Sequence, residues 1–182
     1  MNLSFVPVDR SQCATLGEFL NAFGKFRYCS CMRWRLTSSE FKDSSKENRM
    51  QMLQERVSHD EPLGVLGLDD ERAVAWISVA PRDTFRGLER YKALARFDSE
   101  AVWSMTCMFV APKYRRHGAT EGLINAGVEY AQSCGAAIVE AYPVEPDAPS
   151  YTYMGTPKTL ERCGFSDVTP EGRTRLIYRR SC

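Results

Sequence analysis

One apolar segment, followed directly by a basic turn and a helical pattern, constrains the fold of this chain more than any other feature. Residues 102–110 are apolar on both alternating sides, which is typical of a central strand covered on both faces. The alternation assigns Trp103, Met105, Cys107 and Phe109 to one face and Val102, Thr106, Met108 and Val110 to the other. After a basic turn, apolar residues recur at helical spacing at Leu123, Ile124, Val128 and Ala131. The segment therefore predicts a strand, a turn and a helix in succession.

The N-terminal part of the chain carries a strand pattern and a helical pattern. Residues 3–8 predict a short strand. Ser11 is a candidate cap for the helix that follows, and Gly24 is its predicted end. The buried stripe of this helix has the spacing of Leu16, Phe19, Leu20 and Phe23.

A second helix and a hairpin follow in the pattern. Residues 44–59 predict a surface helix with one narrow apolar face, formed by Met50, Leu53 and Val57. Residues 63–68 and 73–79 are β-rich runs separated by an acidic turn, which predicts two antiparallel strands. Residues 81–100 have no clean period and predict a long connection with one short helix.

The C-terminal third alternates between strands and helices. Residues 136–144 predict another buried strand, and Cys134-Gly135 before it ends the preceding helix. A loop over 145–155 leads to Thr156-Pro157, which is a cap followed by a first helical position. Residues 173–180 predict the final strand. This order of elements indicates a mixed α/β fold in a single domain over 1–182.

Composition narrows the classes of partner. The 182 residues are 43% hydrophobic, and 24 basic residues against 23 acidic ones leave a net charge of +1. Such a balance gives no broad cationic field, so we expect no nucleic-acid partner. No apolar run reaches membrane-spanning length, and seven scattered cysteines favour a reducing compartment. We therefore expect a cytoplasmic protein that does not enter a membrane.

The basic turn after the central strand has the chemistry of a phosphate site. The first amides of a helix have no intrahelical acceptor, and the helix dipole adds partial positive charge there. Gly118 lacks a β-carbon, so the backbone can approach an anion closely. Arg115 and Arg116 add charge at the rim, although a solvated basic turn is the alternative for an isolated pattern of this kind.

The segment Arg115-Arg116-His117-Gly118-Ala119-Thr120 resembles the acetyl-CoA loop of the GNAT superfamily of N-acetyltransferases. The resemblance extends from Met108 through the helix to Gly164-Phe165, about the last 80 residues. It implies a central, mostly antiparallel mixed sheet flanked by helices, with acetyl-CoA as co-substrate. It also implies that the backbone of Met108, Phe109 and Val110 pairs with pantetheine, and that the diphosphate binds to Arg115, Arg116, His117, Gly118, Ala119 and Thr120. Thr120 departs from the usual Gly or Ala and predicts altered binding.

The chemistry of acetyl transfer leaves several candidates open. A tyrosine in the short helix before Gly-Phe serves as the acid in many GNAT enzymes, but Leu160 stands at that position here. Tyr153 is therefore the predicted acid and Tyr151 the second choice, with packing as the alternative for both. Glu140 is a weak candidate for the base beside water, and a solvated carboxylate is the alternative. We expect direct attack by the amine, because Cys107 lies among apolar neighbours that disfavour a thiolate.

Two further questions concern metal and substrate. Cys29 and Cys31 lack the histidines of a zinc site, so we expect packing or a pocket wall, and no metal. Glu145 and Asp147 in the loop suggest attraction of a cationic amine, either a small molecule or a protein amine. The competing function is a non-catalytic acyl-CoA sensor or interaction module on the same fold, and a homodimer stays open.

Overall fold

The computed structural model describes residues 3–23 and 26–182, and the side chains of 26 and 27 are not considered. Its strands form one seven-stranded sheet in the order β1-β2-β3-β4-β5-β7-β6. They are β1 (Ser4–Pro7), β2 (Gly64–Asp69), β3 (Arg72–Pro81), β4 (Trp103–Val110), β5 (Ile138–Ala141), β6 (Ser166–Asp167) and β7 (Tyr178–Ser181). Neighbouring strands are antiparallel except β4 and β5, which are parallel. This sheet confirms the predicted mixed and mostly antiparallel architecture.

Helices cover both faces of the sheet. They are α1 (Cys13–Ala22), α2 (Phe26–Cys29), α3 (Ser38–Asp43), α4 (Lys46–Ser58), α5 (Arg86–Arg90), α6 (Ala119–Ser133) and α7 (Pro157–Arg162). The predicted stripe of α6 is buried against β3 and β4, together with Leu160 of α7. On the opposite face, α1 and α4 bury Leu16, Leu20, Leu53 and Val57 against Leu66 and Trp76. The helices α1, α4 and α6 therefore bury the faces that their apolar spacing predicts.

The N-terminal caps differ in part from the prediction. Asp9, and not Ser11, caps the first turn, since its carboxylate accepts hydrogen bonds from the backbone amide and the hydroxyl of Ser11. Carboxylates are strong caps because they accept orphan amides. Ser45 caps α4 in a reciprocal capping box with Asn48. The predicted helix end at Gly24 lies outside the described residues.

A β-bulge in β4 corrects the predicted faces of the central strand. The register against β3 runs from Met105 opposite Val79 to Cys107 opposite Ser78, so Thr106 is an extra residue. One extra residue exchanges the two faces of a strand from that point on. Accordingly Trp103, Met105, Met108 and Val110 all face the cluster under α6, whereas Cys107 packs with α1 and α4. The strict alternation predicted from sequence was wrong beyond Thr106.

The last strands are shorter than their patterns suggest. The predicted strand 136–144 is reduced to β5, and the predicted strand 173–180 to β7, which pairs also with the short, unpredicted β6. Thr156 occupies the cap position of α7, but its side chain makes no capping hydrogen bond and lies 3.0 Å from the Thr159 hydroxyl.

In the described part of the chain no helix is long and apolar enough to cross a membrane.

Candidate active site

A cleft of about 890 Å³ opens beside the second half of β4. β5 pairs with β4 only at Trp103, Ser104 and Met105, and the bulge at Thr106 follows at once. Because a bulge bends and twists its strand, β4 diverges from β5 beyond this point. Residues from Thr106 to Val110 then line the cleft instead of continuing the sheet. The strand edge available to a ligand is thus created by one inserted residue.

The edge of β4 nearest the bulge presents backbone groups that no strand satisfies on that side. Cys107 and Met108 pair with β3, and Thr106 is the extra residue of the bulge. None of the three is paired with β5, and all three line the cleft. An extended ligand can pair with such groups as an added strand would. At the other end the carbonyl of Val110 already accepts a 2.8 Å hydrogen bond from Nε of Arg115. The three residues predicted to pair with pantetheine, Met108, Phe109 and Val110, all line the cleft. The carbonyl of Val110, however, is already hydrogen-bonded to Arg115.

The predicted phosphate loop begins where the cleft ends. Arg115 and Thr120 line the cleft, and the guanidinium of Arg115 stacks 5.4 Å from the centre of the Phe109 ring. Arg116 has a left-handed backbone with φ of 66°, and it is exposed. Nδ1 of the exposed His117 lies 2.7 Å from the carbonyl oxygen of Arg115, which fixes the turn locally. Arg115 and Thr120 thus connect the loop to the cleft, whereas His117, Gly118 and Ala119 line a separate, smaller cavity of about 160 Å³.

Gly118 sits at the N-cap of α6 with φ of 76°, in the left-handed region where glycine costs least. A β-carbon built at this position meets no atom within 4 Å, so the space in front of the residue is open. The helix start, with Ala119 buried and Thr120 half-buried, directs its first amides toward that space. Open space, unsatisfied amides and a basic rim fit a diphosphate.

Tyr151 and Tyr153 close the opposite end of the cleft. The loop 145–155 returns to its start through a 3.0 Å hydrogen bond from the Val144 amide to the Gly155 carbonyl, and its last turn lies against β4. Both phenols line the cleft, with ring centres 6.1 Å apart. Tyr151 is in a left-handed conformation with φ of 64° and packs 5.8 Å from the Trp34 ring.

Burial raises the pKa of Tyr153 well above the ordinary value for a phenol, and the nearby Cys107 and Tyr151 act in the same direction. Arg33 opposes the shift only in part. The hydroxyl therefore stays protonated at neutral and moderately alkaline pH, as a proton donor must. Leu160, at the family's position for this acid, is fully buried in the core and outside the cleft.

Glu140 occupies a different environment from the one predicted for a base. It is 2% exposed, and it is not among the residues that line the cleft. One oxygen accepts hydrogen bonds from Arg82 and from the Tyr142 hydroxyl, and the other accepts from Arg179. These partners tie β5 to the 81–100 connection and to β7. Neither a solvated carboxylate nor an approach to an amine in the cleft fits this arrangement.

Three cysteines line the cleft, and their pKa values are shifted in different directions. Burial raises the pKa of Cys29 to about 12. The hydrogen bond between Cys107 and Cys31 raises the pKa of Cys107 and lowers that of Cys31, whose sulfur also accepts a 2.9 Å hydrogen bond from Nε1 of Trp76. Cys107 is thus a protonated wall residue, as its apolar surroundings predicted. Among the described residues, no three His, Cys, Asp or Glu side chains converge as metal ligands.

Sequence analysis did not identify Arg33 as a cleft residue, and it left Trp34 open between the core and a pocket wall. Both line the cleft, and the Arg33 guanidinium lies 5.4 Å from the Trp34 ring centre. No helical or strand period marks them, because they follow left-handed Ser30 and Cys31 in an irregular segment. Glu145 and Asp147, in contrast, are exposed outside the cleft, so the structure does not support their predicted role toward a cationic amine.

Comparison with known proteins agrees with this geometry. The sequence profile of the acetyltransferase (GNAT) family matches residues 29–155. A search of curated protein sequences finds no match. The chain therefore has the fold of an acetyltransferase. It belongs to the GNAT family of acetyltransferases.

Solved structures with the same fold include three informative relatives. The chain is 13% identical to the Drosophila melanogaster polyamine N-acetyltransferase that forms N-acetylagmatine, with a TM-score of 0.60 and 100% of each chain covered. It is 10% identical to the PaiA N-acetyltransferase of Thermoplasma acidophilum in complex with coenzyme A, with a TM-score of 0.56 and 100% of each chain covered. It is 14% identical to yncA of Salmonella typhimurium with acetyl-CoA, with a TM-score of 0.54 and 100% and 94% covered.

Proposed function

We propose that the protein transfers an acetyl group from acetyl-CoA to an amine by direct attack. The observation that carries this proposal is the alignment of the unpaired edge of β4 with the loop that starts α6. The edge at Thr106, Cys107 and Met108 suits an extended amide-bearing arm, and the loop at Gly118 suits the diphosphate at the end of that arm. The cleft and the loop joined to it at Arg115 and Thr120 thus offer the donors for both parts of coenzyme A.

The chain's own residues supply positioning and a proton. The thioester supplies the activated acetyl group, and the cleft directs it toward its cysteine and tyrosine end. There the hydroxyl of Tyr153, kept protonated by burial, donates to the departing thiolate. A thiol has an ordinary pKa near 8.5, so this proton assists departure without being indispensable. Tyr151, which packs on Trp34, belongs to the wall.

Removal of a proton from the incoming amine is assigned to water. Alkyl amines have a pKa near 10, so most molecules arrive protonated at neutral pH. No Asp or Glu lines the cleft among the described residues, and the carboxylate of Glu140 is engaged by two arginines. The cleft opens to solvent, so the proton can leave through water.

One observation favours a second function. The lack of a carboxylate among the described cleft residues is also what a protein that only senses acyl-CoA would show. Such a sensor would bind coenzyme A through the same edge and loop and would not turn over.

A thiol-release assay with acetyl-CoA and a panel of amines separates these functions. Amine-dependent release of coenzyme A above the hydrolysis background supports the transferase. Binding of coenzyme A without release for any amine supports the sensor. Release of one equivalent of thiol before amine is added would instead reveal an acetyl-cysteine enzyme and contradict direct attack. We further propose that residues 1–182 form a single cytoplasmic domain, supported by the one sheet that runs from β1 to β7.

A further inference from the structure

The charges at the acceptor end of the cleft are of one sign. Among the described residues that line the cleft, Arg33 and Arg115 carry charge and none is acidic. Arg115 belongs to the phosphate loop and is held by the Val110 carbonyl. Arg33 therefore sets the electrostatic character of the other end, where Tyr153 and Trp34 lie.

Arg33 is not neutralised by the protein. It is half-buried, and its contacts are with the rings of Trp34 at 5.4 Å and Phe41 at 5.6 Å. No carboxylate of the described residues lies within ion-pair distance of it, whereas Arg82 and Arg179 each pair with two carboxylates. A guanidinium in a cleft without a counter-ion is suited to a carboxylate that arrives with the ligand.

A second arginine lies behind the wall that Arg33, Trp34, Tyr151 and Tyr153 form, and it adds to the positive potential at this end of the cleft. The guanidinium of Arg175 lies 4.7 Å from the centre of the Tyr151 ring, and its Nε and Nη1 are buried without a hydrogen-bond partner among the described residues. The indole nitrogen of Trp34 is likewise buried and unpartnered. The aromatic wall thus combines several donors with no acid, and a polycation would be repelled from it.

We propose that the acceptor is an amine that carries a carboxylate in the same molecule. An aromatic or apolar body joins the two groups and packs on the wall. Arg33 binds the carboxylate, and Trp34 and Tyr151 contact the body. This inference rests on the proposed function and gives it a substrate class, that of amino-acid-like amines. It predicts selection against agmatine and polyamines, which lack the carboxylate.

Matched pairs of ligands that differ only in the carboxylate test this inference. The probes are N-acetyltyrosine against N-acetyltyramine, N-acetylphenylalanine against N-acetylphenethylamine, and Nα-acetylarginine against N-acetylagmatine, each titrated into the coenzyme A-loaded protein. Because the nitrogen of every probe is already acetylated, it cannot be acetylated again, and the titration does not depend on turnover. We expect at least one carboxylate-bearing probe to bind tenfold or more tightly than its partner. The corresponding free amine should show the same preference in kcat/KM.

Substitution of Arg33 assigns the preference to one side chain. Arg33→Gln should lower the affinity for the carboxylate-bearing probe at least tenfold. The affinity for the matched probe without a carboxylate should change less than threefold. Arg33→Lys should restore part of the preference, because charge is kept and the bidentate geometry is lost. Arg90→Gln, at an exposed arginine outside the cleft, is the control and should change neither. Coenzyme A affinity, measured on every variant, reports folding.

The outcomes separate the inference from the function beneath it. If every carboxylate-bearing probe binds no better than its partner, or if Arg33→Gln leaves the preference intact, the inference is wrong. If, in that case, amines without a carboxylate are acetylated efficiently, the proposed acetyltransferase function is supported and only the substrate class is wrong. Arg33-dependent binding without thiol release from any amine supports the ligand class and contradicts the transferase.

Discussion

The loop that begins α6 and the wall formed by Arg33, Trp34, Tyr151 and Tyr153 lie at opposite ends of one cleft and offer different groups to a ligand. The loop uses backbone amides, a left-handed glycine and a helix start, all of which follow from chain geometry. The wall uses side chains from two irregular segments distant in sequence. Backbone binding is general to the family's co-substrate, whereas side-chain binding is specific to the acceptor.

Substitution of Glu140 has the largest expected effect, and it tests whether this residue of β5 stabilises the fold or belongs to the cleft. Glu140→Gln leaves Arg82 and Arg179 without their shared carboxylate in a buried site, so we expect the free energy of unfolding to fall by about 3 kcal/mol. Chemical denaturation measures this loss. Asp60→Asn, which breaks an exposed pair with Arg10, should cost less than about 1 kcal/mol.

The same variant decides the role of Glu140 in the reaction. The folded Glu140→Gln protein should keep its turnover within threefold. A hundredfold loss of turnover with normal stability would make Glu140 the base and place it in the site.

Gly118 tests whether the loop binds by close backbone approach. Gly118→Val places a branched side chain in the open space before the first amides of α6, so coenzyme A affinity should fall more than a hundredfold, or by about 2.7 kcal/mol. Calorimetric titration measures the change. Gly172→Val is a matched control, because Gly172 also has a positive φ of 79° and open space around it. Equal affinity in folded Gly118→Val would exclude the loop as the phosphate site.

Tyr153 tests the wall as a source of the proton. Tyr153→Phe should lower kcat at least tenfold, about 1.4 kcal/mol, with unchanged coenzyme A affinity. Since the pKa is raised, the hydroxyl is protonated below that pKa and lost as an acid only above it. The Tyr153-dependent fall in rate therefore begins above about pH 10, the ordinary value for tyrosine. Steady-state rates across pH measure both effects.

Two related variants serve as controls for that assignment. Tyr91→Phe, outside the cleft but in the same aromatic cluster, should retain normal turnover. A loss in Tyr151→Phe with normal Tyr153→Phe would identify the other phenol, and normal rates in both would leave protonation to water.

Thr120 gives the smallest expected effect and sharpens the account of the loop. Thr120→Val removes the hydroxyl and keeps the shape, so affinity should fall less than fivefold, within about 1 kcal/mol, if the hydroxyl donates to a phosphate. Thr120→Ala removes the bulk as well. A gain in affinity with Ala would show that the side chain crowds the phosphate, and titration distinguishes the two.

The same contrast explains how far sequence reasoning reached. The strand, loop and α6 were predictable because a period-2 run, a glycine at a helix start and a 3.6-residue period each leave a local signal. The bulge at Thr106 left none, since its apolar neighbours fit either face, and the face assignment failed there. Glu140 and Arg82 meet across 58 residues, and Arg33 joins Tyr153 in the cleft through tertiary structure alone. No local pattern encodes such pairs, so Arg33 became visible as part of the wall only in the structure, whereas Tyr151 and Tyr153 were predicted.

The central claim is that the unpaired edge of β4 and the loop at Gly118 bind one molecule of coenzyme A. Thermal unfolding with saturating coenzyme A or ADP tests it most directly, because ADP carries a diphosphate and lacks the pantetheine. At a hundredfold excess over its dissociation constant, coenzyme A should stabilise the protein by about 2.7 kcal/mol, and the same concentration of ADP should do markedly less. Equal stabilisation by the two ligands would contradict the claim, because the edge at Thr106, Cys107 and Met108 would then contribute nothing.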